Sequence, residues 1–188
     1  MGEPESPYRE VLGPLYGDLA PAVRAMHGAR FSARGTLDVT HGRSFFARAL
    51  ARVSGAPPAR RACPVTLEVA PEGRGFRWTR SYDGHVVRTE QWVLGGRVVE
   101  ALSGLAVHFA FEVEPSGALV YRHEKTTLGR GAFTVSLPLW LGPKAEGRVA
   151  PNDEGSARIS VSVRLPIVGL LVAYEGLMHV GQHGENRQ

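Results

Sequence analysis

The sequence predicts a mainly antiparallel β fold of the α+β class, in which N-terminal helices pack on a curled meander sheet. From Pro64 onward, turn signals recur at short intervals, and apolar residues alternate with polar ones in several of the runs between them. A period of two is that of a strand with one buried face. We expect about nine or ten strands to curl into a calyx-like barrel or half-barrel, because closure leaves no unpaired sheet edge.

Length and composition agree with a single folded domain. The chain has 188 residues, of which 43% are hydrophobic and 21% are charged, close to the values of ordinary globular proteins. These values exclude a disordered tail, a coiled coil and a collagen-like rod. We predict one domain over residues 1–188, with its core over about residues 8–180 and a polar tail over residues 181–188.

The N-terminal region contains two helix signals. Ser6 followed by Pro7 is a helix cap followed by a favourable first-turn residue. Asp18 is expected to cap a second helix that runs to Met26, and Gly28 is expected to end it. We therefore predict that the chain begins with helices.

A strand, a helix and a loop are predicted next. Apolar and polar residues alternate over residues 31–40, which indicates a strand with one buried face. We expect a short helix over about residues 43–53. Residues 54–61 contain a glycine, two prolines and two arginines, and this composition is typical of a loop.

Three two-residue turns set the register of the following strands. Hairpins that close at residues 83–84, 95–96 and 103–104 determine which residues face each other, and all three place one apolar set on the same face. The opposite face is mostly polar and sets Arg77 directly across from Glu90. The predicted inner face consists of Phe76, Trp78, Arg80, Tyr82, Val87, Thr89, Gln91, Val93, Val98, Glu100, Leu102, Leu105, Val107, Phe109 and Phe111.

The register after Pro115 has two solutions. A loop of two residues and a loop of three residues at this point place opposite faces of the next strand inward. Either Tyr121 and His123 or Arg122 and Glu124 therefore face the interior.

The last third of the chain is predicted to hold a lid and two strands. Residues 137–151 contain several prolines and glycines, so we expect a long loop that covers the barrel with Trp140. Residues 157–165 alternate as a half-buried strand does, and residues 170–178 are expected to close the sheet.

Two charged residues share the predicted apolar face. Arg80 and Glu100 lie there with Thr89 and Gln91 between them, and a buried charge needs a partner or access to solvent. Three interpretations stay open: a buried ion pair that sets the register, a polar spot inside a ligand pocket, and a wrong register. Glu175 on the closing strand is a third such residue, because either face of that strand can be the inner one.

The charge pattern favours neither a nucleic acid nor a membrane span. The net charge is +4, with 20 Arg against two Lys, and these residues are spread along the chain. The most apolar stretch, over residues 165–180, is interrupted by proline, glycine and glutamate. The N-terminus does not resemble a signal peptide, and the single Cys63 excludes an internal disulfide, so we expect a soluble, cytoplasmic protein.

The sequence contains no motif for a nucleotide, a metal or a catalytic triad. The glycine pairs lie in turns, whereas a nucleotide fingerprint follows a strand and opens a helix. The seven histidines are scattered over separate segments. We therefore predict no cofactor and no metal, and Glu100 with Glu175 is the candidate carboxylate pair for acid–base chemistry.

Several short motifs resemble a bacterial family of domains of unknown function, DUF4166, over about residues 12–180. The motifs are Trp78-x-Arg80, Glu100-x-x-x-Gly104, Pro138 with Pro143, Pro166-x-x-Gly169, Tyr174-x-Gly176, and the stretch over residues 19–27. The resemblance implies no activity and no catalytic residues, because the family is uncharacterised. Its members occur alone or fused to oxidoreductase-like domains, which implies that an accessory role would need a separate oxidoreductase partner.

The leading functional hypothesis is a non-enzymatic module that binds a small apolar or amphipathic molecule inside the barrel. Arg80 would contact an acidic or carbonyl head group that Gln91 and Glu100 orient. Two alternatives stay open: an enzyme that uses Glu100 or Glu175 as an acid or base, and a domain that docks on an oxidoreductase or on itself through Trp92. The candidate ligand-binding residues are Trp78, Arg80, Gln91, Glu100, Phe109, Trp140, Tyr174 and Glu175.

Overall fold

The computed structural model describes residues 4–102, 104–129, 133–138, 140–152 and 155–181. The helices in these ranges are α1 (Pro7–Leu12), α2 (Pro21–Ala25) and α3 (Phe45–Val53), with a 3-10 helix over Gly13–Asp18. The strands are β1 (Phe31–His41), β2 (Arg60–Glu72), β3 (Gly75–Tyr82), β4 (His85–Leu94), β5 (Arg97–Leu102), β6 (Leu105–Val113), β7 (Leu119–Leu128), β8 (Val135–Leu137), β9 (Lys144–Pro151), β10 (Ser156–Leu165) and β11 (Gly169–Gly181). The tail predicted after Gly181 lies outside the described residues.

Ten of the strands close into an antiparallel barrel. The order is β6-β5-β4-β3-β2-β1-β11-β10-β9-β7, and β7 pairs back with β6, while β8 lies on β7 outside the ring. Most neighbours in the ring are consecutive in the chain, because short turns join them. The fold class predicted from the sequence is confirmed.

The hairpin registers predicted from the turns are confirmed. Gln91 of β4 faces Phe76 of β3 on one side and Glu100 of β5 on the other. Asp83 and Gly84 have positive φ angles of 49° and 90°, the left-handed conformation that such a two-residue turn requires. Because side chains alternate between the two faces of a strand, Arg80, Gln91 and Glu100 lie on the same face of the sheet, as predicted.

The structure also decides the register after Pro115. The loop contains three residues, 115–117, between Glu114 and Ala118, whose backbone groups are hydrogen-bonded at 2.9 Å. Tyr121 therefore faces Phe111 and packs against the core, whereas Arg122 points outward.

Two predictions about the N-terminal half are wrong. Asp18 does not cap α2; it lies in the 3-10 helix, and α2 begins at Pro21 and ends at Ala25. The proline sets the backbone angle of the first helical position and has no N–H of its own there. The loop predicted over residues 54–61 is shorter, because β2 already begins at Arg60.

The long lid predicted over residues 137–151 is also wrong. Residues 144–151 form β9, which pairs with β7 on one side and β10 on the other and completes the ring. The prolines at 138 and 143 lie in the turn before this strand, so they do not interrupt its hydrogen bonds. Pairing with two strand edges outweighs the local turn signals in this segment.

Helices α1 and α2 cover one end of the barrel, which we call the plugged end. Ser6 caps α1 as predicted, because its hydroxyl accepts a hydrogen bond from Tyr8 N. Ala20 N donates to Gly117 O in the β6–β7 turn at 3.0 Å. The side chains of Tyr8 and Val23 are buried in the core. This end of the interior is therefore shielded from water.

Helix α3 lies at the opposite end, which we call the open end. The helix follows His41 at the end of β1, and the loop after it is tied to the start of β4 by His85 Nε2 and Gly55 O, 3.1 Å apart. Leu102 and Leu105 on the inner face are only half-buried here. The described helices are all too short for a bilayer span.

Candidate functional site

A cavity of about 110 Å³ lies inside the barrel. Most of its wall is apolar and comes from side chains that point inward from the strands, among them Leu37, Val65, Leu67, Val149, Ile159 and Met178. The polar side chains in the wall are Tyr8, His27, Arg80, Tyr82, Gln91, Glu100, Tyr121, Glu146 and Tyr174. The barrel therefore encloses an apolar space with several polar groups in its wall.

Arg80 and Glu100 form an ion pair beside this cavity. Arg80 Nη2 lies 3.0 Å from Glu100 Oε1, and the two side chains remain 16% and 22% exposed. Thr89 joins them, because its hydroxyl accepts from Arg80 Nη1 at 2.8 Å and donates to Glu100 Oε1 at 2.7 Å. The ion pair considered from the sequence is present, and it lies next to a cavity rather than inside a solid core.

The surroundings keep the Arg80 guanidinium charged. Burial by itself lowers the pKa of Arg80. The negative charge of Glu100 and the nearby tyrosine hydroxyls raise it by more, so the pKa lies above that of an ordinary arginine. The guanidinium also lies over the Trp78 ring, 5.0 Å from its centroid. The site therefore presents a stable positive charge held between a carboxylate and an aromatic face.

A chain of hydrogen bonds through neutral side chains continues from Glu100 towards the plugged end. Gln91 Nε2 donates to Glu100 Oε2 at 2.9 Å, and Tyr8 OH donates to Gln91 Oε1 at 2.9 Å. Gln91 and Tyr8 are each only 1% exposed. Burial raises the pKa of Tyr8 well above its ordinary range, so this hydroxyl stays protonated. Its single hydrogen is donated to Gln91.

His27 ends the chain at the plugged end. Burial lowers its pKa to about 4, so the ring is neutral at pH 7. Its Nδ1 lies 2.6 Å from Val23 O, which can only accept, so the hydrogen is assigned to Nδ1. Its Nε2 then accepts from Tyr121 OH at 2.6 Å. Tyr121 OH also lies 3.3 Å from Tyr8 OH. Because Tyr121 donates its hydrogen to His27 and Tyr8 donates its hydrogen to Gln91, the chain consists of two hydrogen-bonded segments whose hydroxyl oxygens meet here.

Sequence reasoning missed three members of this chain. Tyr8 and His27 lie in or next to the predicted N-terminal helices, and the sequence does not show where those helices pack on the sheet. Tyr121 follows the turn at Pro115, after which the sequence did not decide which face of the strand is inner. The residue spacing contained no signal that these side chains meet, because the contacts join segments 83 to 113 residues apart.

Trp78 has an unusual position in the wall of the cavity. It is 6% exposed, and its Nε1 has no hydrogen-bond acceptor among the residues that the structure describes. A buried donor without an acceptor costs about 1–3 kcal/mol. The Trp78 ring contacts Phe31 in an edge-to-face arrangement and has the Arg80 guanidinium over it.

The predicted site residues divide into two groups. Phe109 and Tyr174 line the cavity with the residues of the ion pair. Trp140 is 65% exposed in the turn before β9 and does not line the cavity, because the segment expected as a lid is mostly a strand. Glu175 is exposed on the outer face, since alternation along β11 turns Tyr174 inward. Trp140 and Glu175 therefore do not join the other predicted residues around the cavity.

The structure does not assemble the candidate acid–base pair. Glu100 is bound by Arg80 inside the barrel, and Glu175 lies outside it. The two carboxylates therefore do not face one reacting atom. Within the described ranges, no group of three His, Cys, Asp or Glu side chains is arranged to hold a metal ion.

The outer face differs from its prediction in two places. Arg77 forms its ion pair with Glu72 rather than with Glu90, although Glu90 is its register partner. Val99 is fully buried on this face, and Trp92 is half-buried in the groove beside it. Residues 134 and 136, from the segment that folds back over β7, line the same groove, so Trp92 does not form the flat exposed patch that was expected.

The comparisons with known proteins identify a family without an assigned activity. The family model described as "Domain of unknown function (DUF4166)" matches residues 19–178, and no curated protein matches. Among solved structures, an isomerase-inactive variant of GphF DH1 aligns at 10% identity with a TM-score of 0.22, covering 92% of this chain and 83% of that chain. GphF Dehydratase 1 aligns at 9% identity with a TM-score of 0.18, covering 88% and 82%. These TM-scores carry no argument, and the family model alone shows that the chain belongs to the DUF4166 family.

Proposed function

We propose that the protein binds a small amphipathic molecule, with its apolar part in the barrel cavity and a carboxylate or carbonyl head at Arg80. The observation that carries the proposal is an apolar cavity whose wall includes a partly exposed, charged guanidinium. Ligand sites commonly combine mostly apolar walls with a few placed polar groups.

The size of the cavity limits the ligand. The volume of about 110 Å³ is below the roughly 150 Å³ of an engineered apolar cavity that binds benzene. The buried part of the ligand is therefore no larger than one ring or a short chain. A larger molecule must leave its head group at the open end, where Arg80 and Glu100 keep contact with solvent.

Two donors support a head group that accepts hydrogen bonds. Arg80 uses Nη1 on Thr89 and Nη2 on Glu100, and a guanidinium has five N–H donors in total. The Trp78 Nε1 donor has no acceptor among the described residues. A carboxylate or carbonyl oxygen would supply an acceptor to this region, whereas a cationic head would be repelled by Arg80.

The contacts of Glu100 favour binding over chemistry. Its two oxygens accept from Arg80, Thr89 and Gln91, so this carboxylate orients the guanidinium. A general base needs a free lone pair directed at the substrate. We therefore assign Glu100 to positioning Arg80.

The first test is binding of a panel of small probes. Benzoate and hexanoate carry the proposed head, benzyl alcohol lacks the charge, and toluene lacks the head; isothermal titration calorimetry and NMR chemical shifts report their binding. We expect both carboxylates to bind better than toluene. Because a hydrogen bond to a charged group contributes about 1.5–3 kcal/mol, we expect Arg80→Met/Glu100→Gln to weaken benzoate binding by about tenfold to a hundredfold.

Matched variants locate the binding site. Val161→Phe on β10 fills the cavity and is expected to abolish binding of every probe, whereas Ser162→Phe places the same ring on the opposite face of that strand and leaves binding unchanged. Equal affinity of Val161→Phe and the wild type for benzoate, or no binding of any probe, would overturn the proposal. Mass spectrometry of an organic extract of the purified protein then identifies the natural ligand class.

A further inference from the structure

Helix α3 exposes its large apolar side chains instead of burying them. Its buried residues are Ala47 and Ala51, both fully covered, so the helix packs on the barrel through small side chains. The exposed fractions are 73% for Phe45, 74% for Phe46, 38% for Leu50 and 85% for Val53, and Ile167 in the β10–β11 turn is 82% exposed. We call these five exposed side chains the α3 patch.

The α3 patch is a continuous surface. Phe46, Leu50 and Val53 follow a spacing of four and three residues and therefore share one side of the helix. Together with Ile167 they line one open groove between α3 and the β10–β11 turn. Contiguous exposed apolar surface on a folded protein marks a site of interaction.

The charges around the α3 patch have a single sign. Arg43, Arg48, Arg52 and Arg164 are exposed, and none of the four forms an ion pair with the described residues. The sequence has no Asp or Glu over residues 39–67 or over residues 155–174. The surface therefore combines apolar side chains with uncompensated positive charge.

We propose that the α3 patch and its four arginines dock the protein on an anionic phospholipid surface. Aromatic and aliphatic side chains on one side of a helix enter the interface of a bilayer, and neighbouring arginines contact the phosphates. A second copy of this chain fits less well, because the same surface would place arginine against arginine. The proposal does not depend on the ligand of the cavity.

The geometry of α3 favours peripheral attachment. Helix α3 has nine residues, and its Ala47 and Ala51 stay packed on the barrel, so only the outward side chains can insert. Such binding is reversible and depends on lipid charge and salt. Each basic residue near an anionic membrane increases partitioning about fivefold at ordinary ionic strength.

Cosedimentation with lipid vesicles tests the proposal. The full chain is mixed with vesicles of phosphatidylcholine and with vesicles of phosphatidylcholine and phosphatidylglycerol, at low and high salt. We expect binding only to the anionic vesicles and release at high salt. Arg48→Gln/Arg52→Gln is expected to weaken partitioning about thirtyfold, since it removes two basic residues. Phe46→Ser/Val53→Ser is expected to abolish binding without unfolding the chain, because both side chains are exposed.

Two control variants match these changes elsewhere on the surface. Arg34→Gln/Arg158→Gln removes two exposed arginines from the barrel wall, and Phe133→Ser removes an apolar side chain that is 89% exposed. Both are expected to bind anionic vesicles as the wild type does. The proposal is overturned if the wild type does not bind vesicles, or if the control variants lose as much vesicle binding as the variants of the α3 patch and its arginines. It is also overturned if light scattering shows that the wild type is a dimer and that Phe46→Ser/Val53→Ser is a monomer, while vesicle binding is unchanged.

Discussion

The two ends of the barrel differ in whether a polar side chain in the interior is neutral or charged. At the plugged end, His27 is 1% exposed, and burial lowers its pKa to about 4, so it is neutral. Towards the open end, Arg80 keeps 16% of its side chain in contact with solvent and remains charged. A row of polar side chains, Tyr121, Tyr8, Gln91 and Glu100, lies between the two.

The difference follows from access to water. A charge that loses its solvent must gain a partner of opposite charge or give up its ionisation. The plugged end contains no counter-charge for His27 among its hydrogen-bond partners, Val23 and Tyr121, so the ring is neutral. The open end offers Arg80 both Glu100 and water, so the guanidinium stays charged. The plugged end therefore contributes stability, and the open end is where we propose that the head group of a ligand binds.

The largest expected effect tests the ion pair. Arg80→Met leaves Glu100 without its counter-charge, and we expect the free energy of unfolding to fall by about 3–5 kcal/mol. Arg80→Met/Glu100→Gln should recover most of this loss, since no charge is left unpaired. Urea denaturation measures both variants. The exposed pair of Arg122 and Glu112 is the control, and Arg122→Met should leave the free energy of unfolding almost unchanged. Equal losses at the two pairs would refute the contrast.

The second effect is a pH dependence of the free energy of unfolding, caused by His27 at the plugged end. The folded pKa of His27 is about 4 against 6.5 for the unfolded chain, so the unfolded state binds more protons between these values. The stabilisation is present above pH 6.5 and is lost as the pH falls towards 4, by about 3 kcal/mol. Denaturation at pH 7 and at pH 4 measures it. His27→Gln should remove this part of the pH dependence, and an unchanged slope would contradict a neutral, buried ring.

The third effect concerns the middle of the hydrogen-bond chain. Tyr8→Phe removes the donor to Gln91 Oε1, a buried acceptor that water cannot reach, and should cost about 1–3 kcal/mol in the free energy of unfolding. Tyr16 is the matched control, because its hydroxyl donates to carbonyl groups near the surface. Tyr16→Phe should cost less than about 1 kcal/mol. Similar costs would show that the interior at Tyr8 is hydrated.

The smallest effect distinguishes the two sides of α3. Phe46→Ser changes a side chain that is 74% exposed and should alter the free energy of unfolding by at most about 0.5 kcal/mol. Ala47→Leu, one residue on, forces three extra carbon atoms against Gly42 and should cost about 1–3 kcal/mol. Thermal denaturation compares the two variants. A large loss in Phe46→Ser would mean that this ring packs on the barrel.

Local signals predicted the elements that depend on neighbouring residues. Two-residue turns set the registers around residues 83–84 and 95–96, and strand alternation then placed Arg80, Gln91 and Glu100 on one face. The same alternation did not decide which face of β11 is inner, because both faces carry apolar residues. Glu175 was therefore included in the site, and the structure places it outside.

The sequence by itself determined a meander of antiparallel strands and an Arg–Glu pair on its apolar face, since both follow from short-range periodicity. Only the tertiary structure decided how the ring closes. Residues 144–151 become β9 because two strand edges need a partner, although their local composition indicates a loop. Only closure, too, brings His27, Tyr121 and Tyr8 together across the interior, because contacts between distant segments depend on the whole barrel and leave no trace in residue spacing.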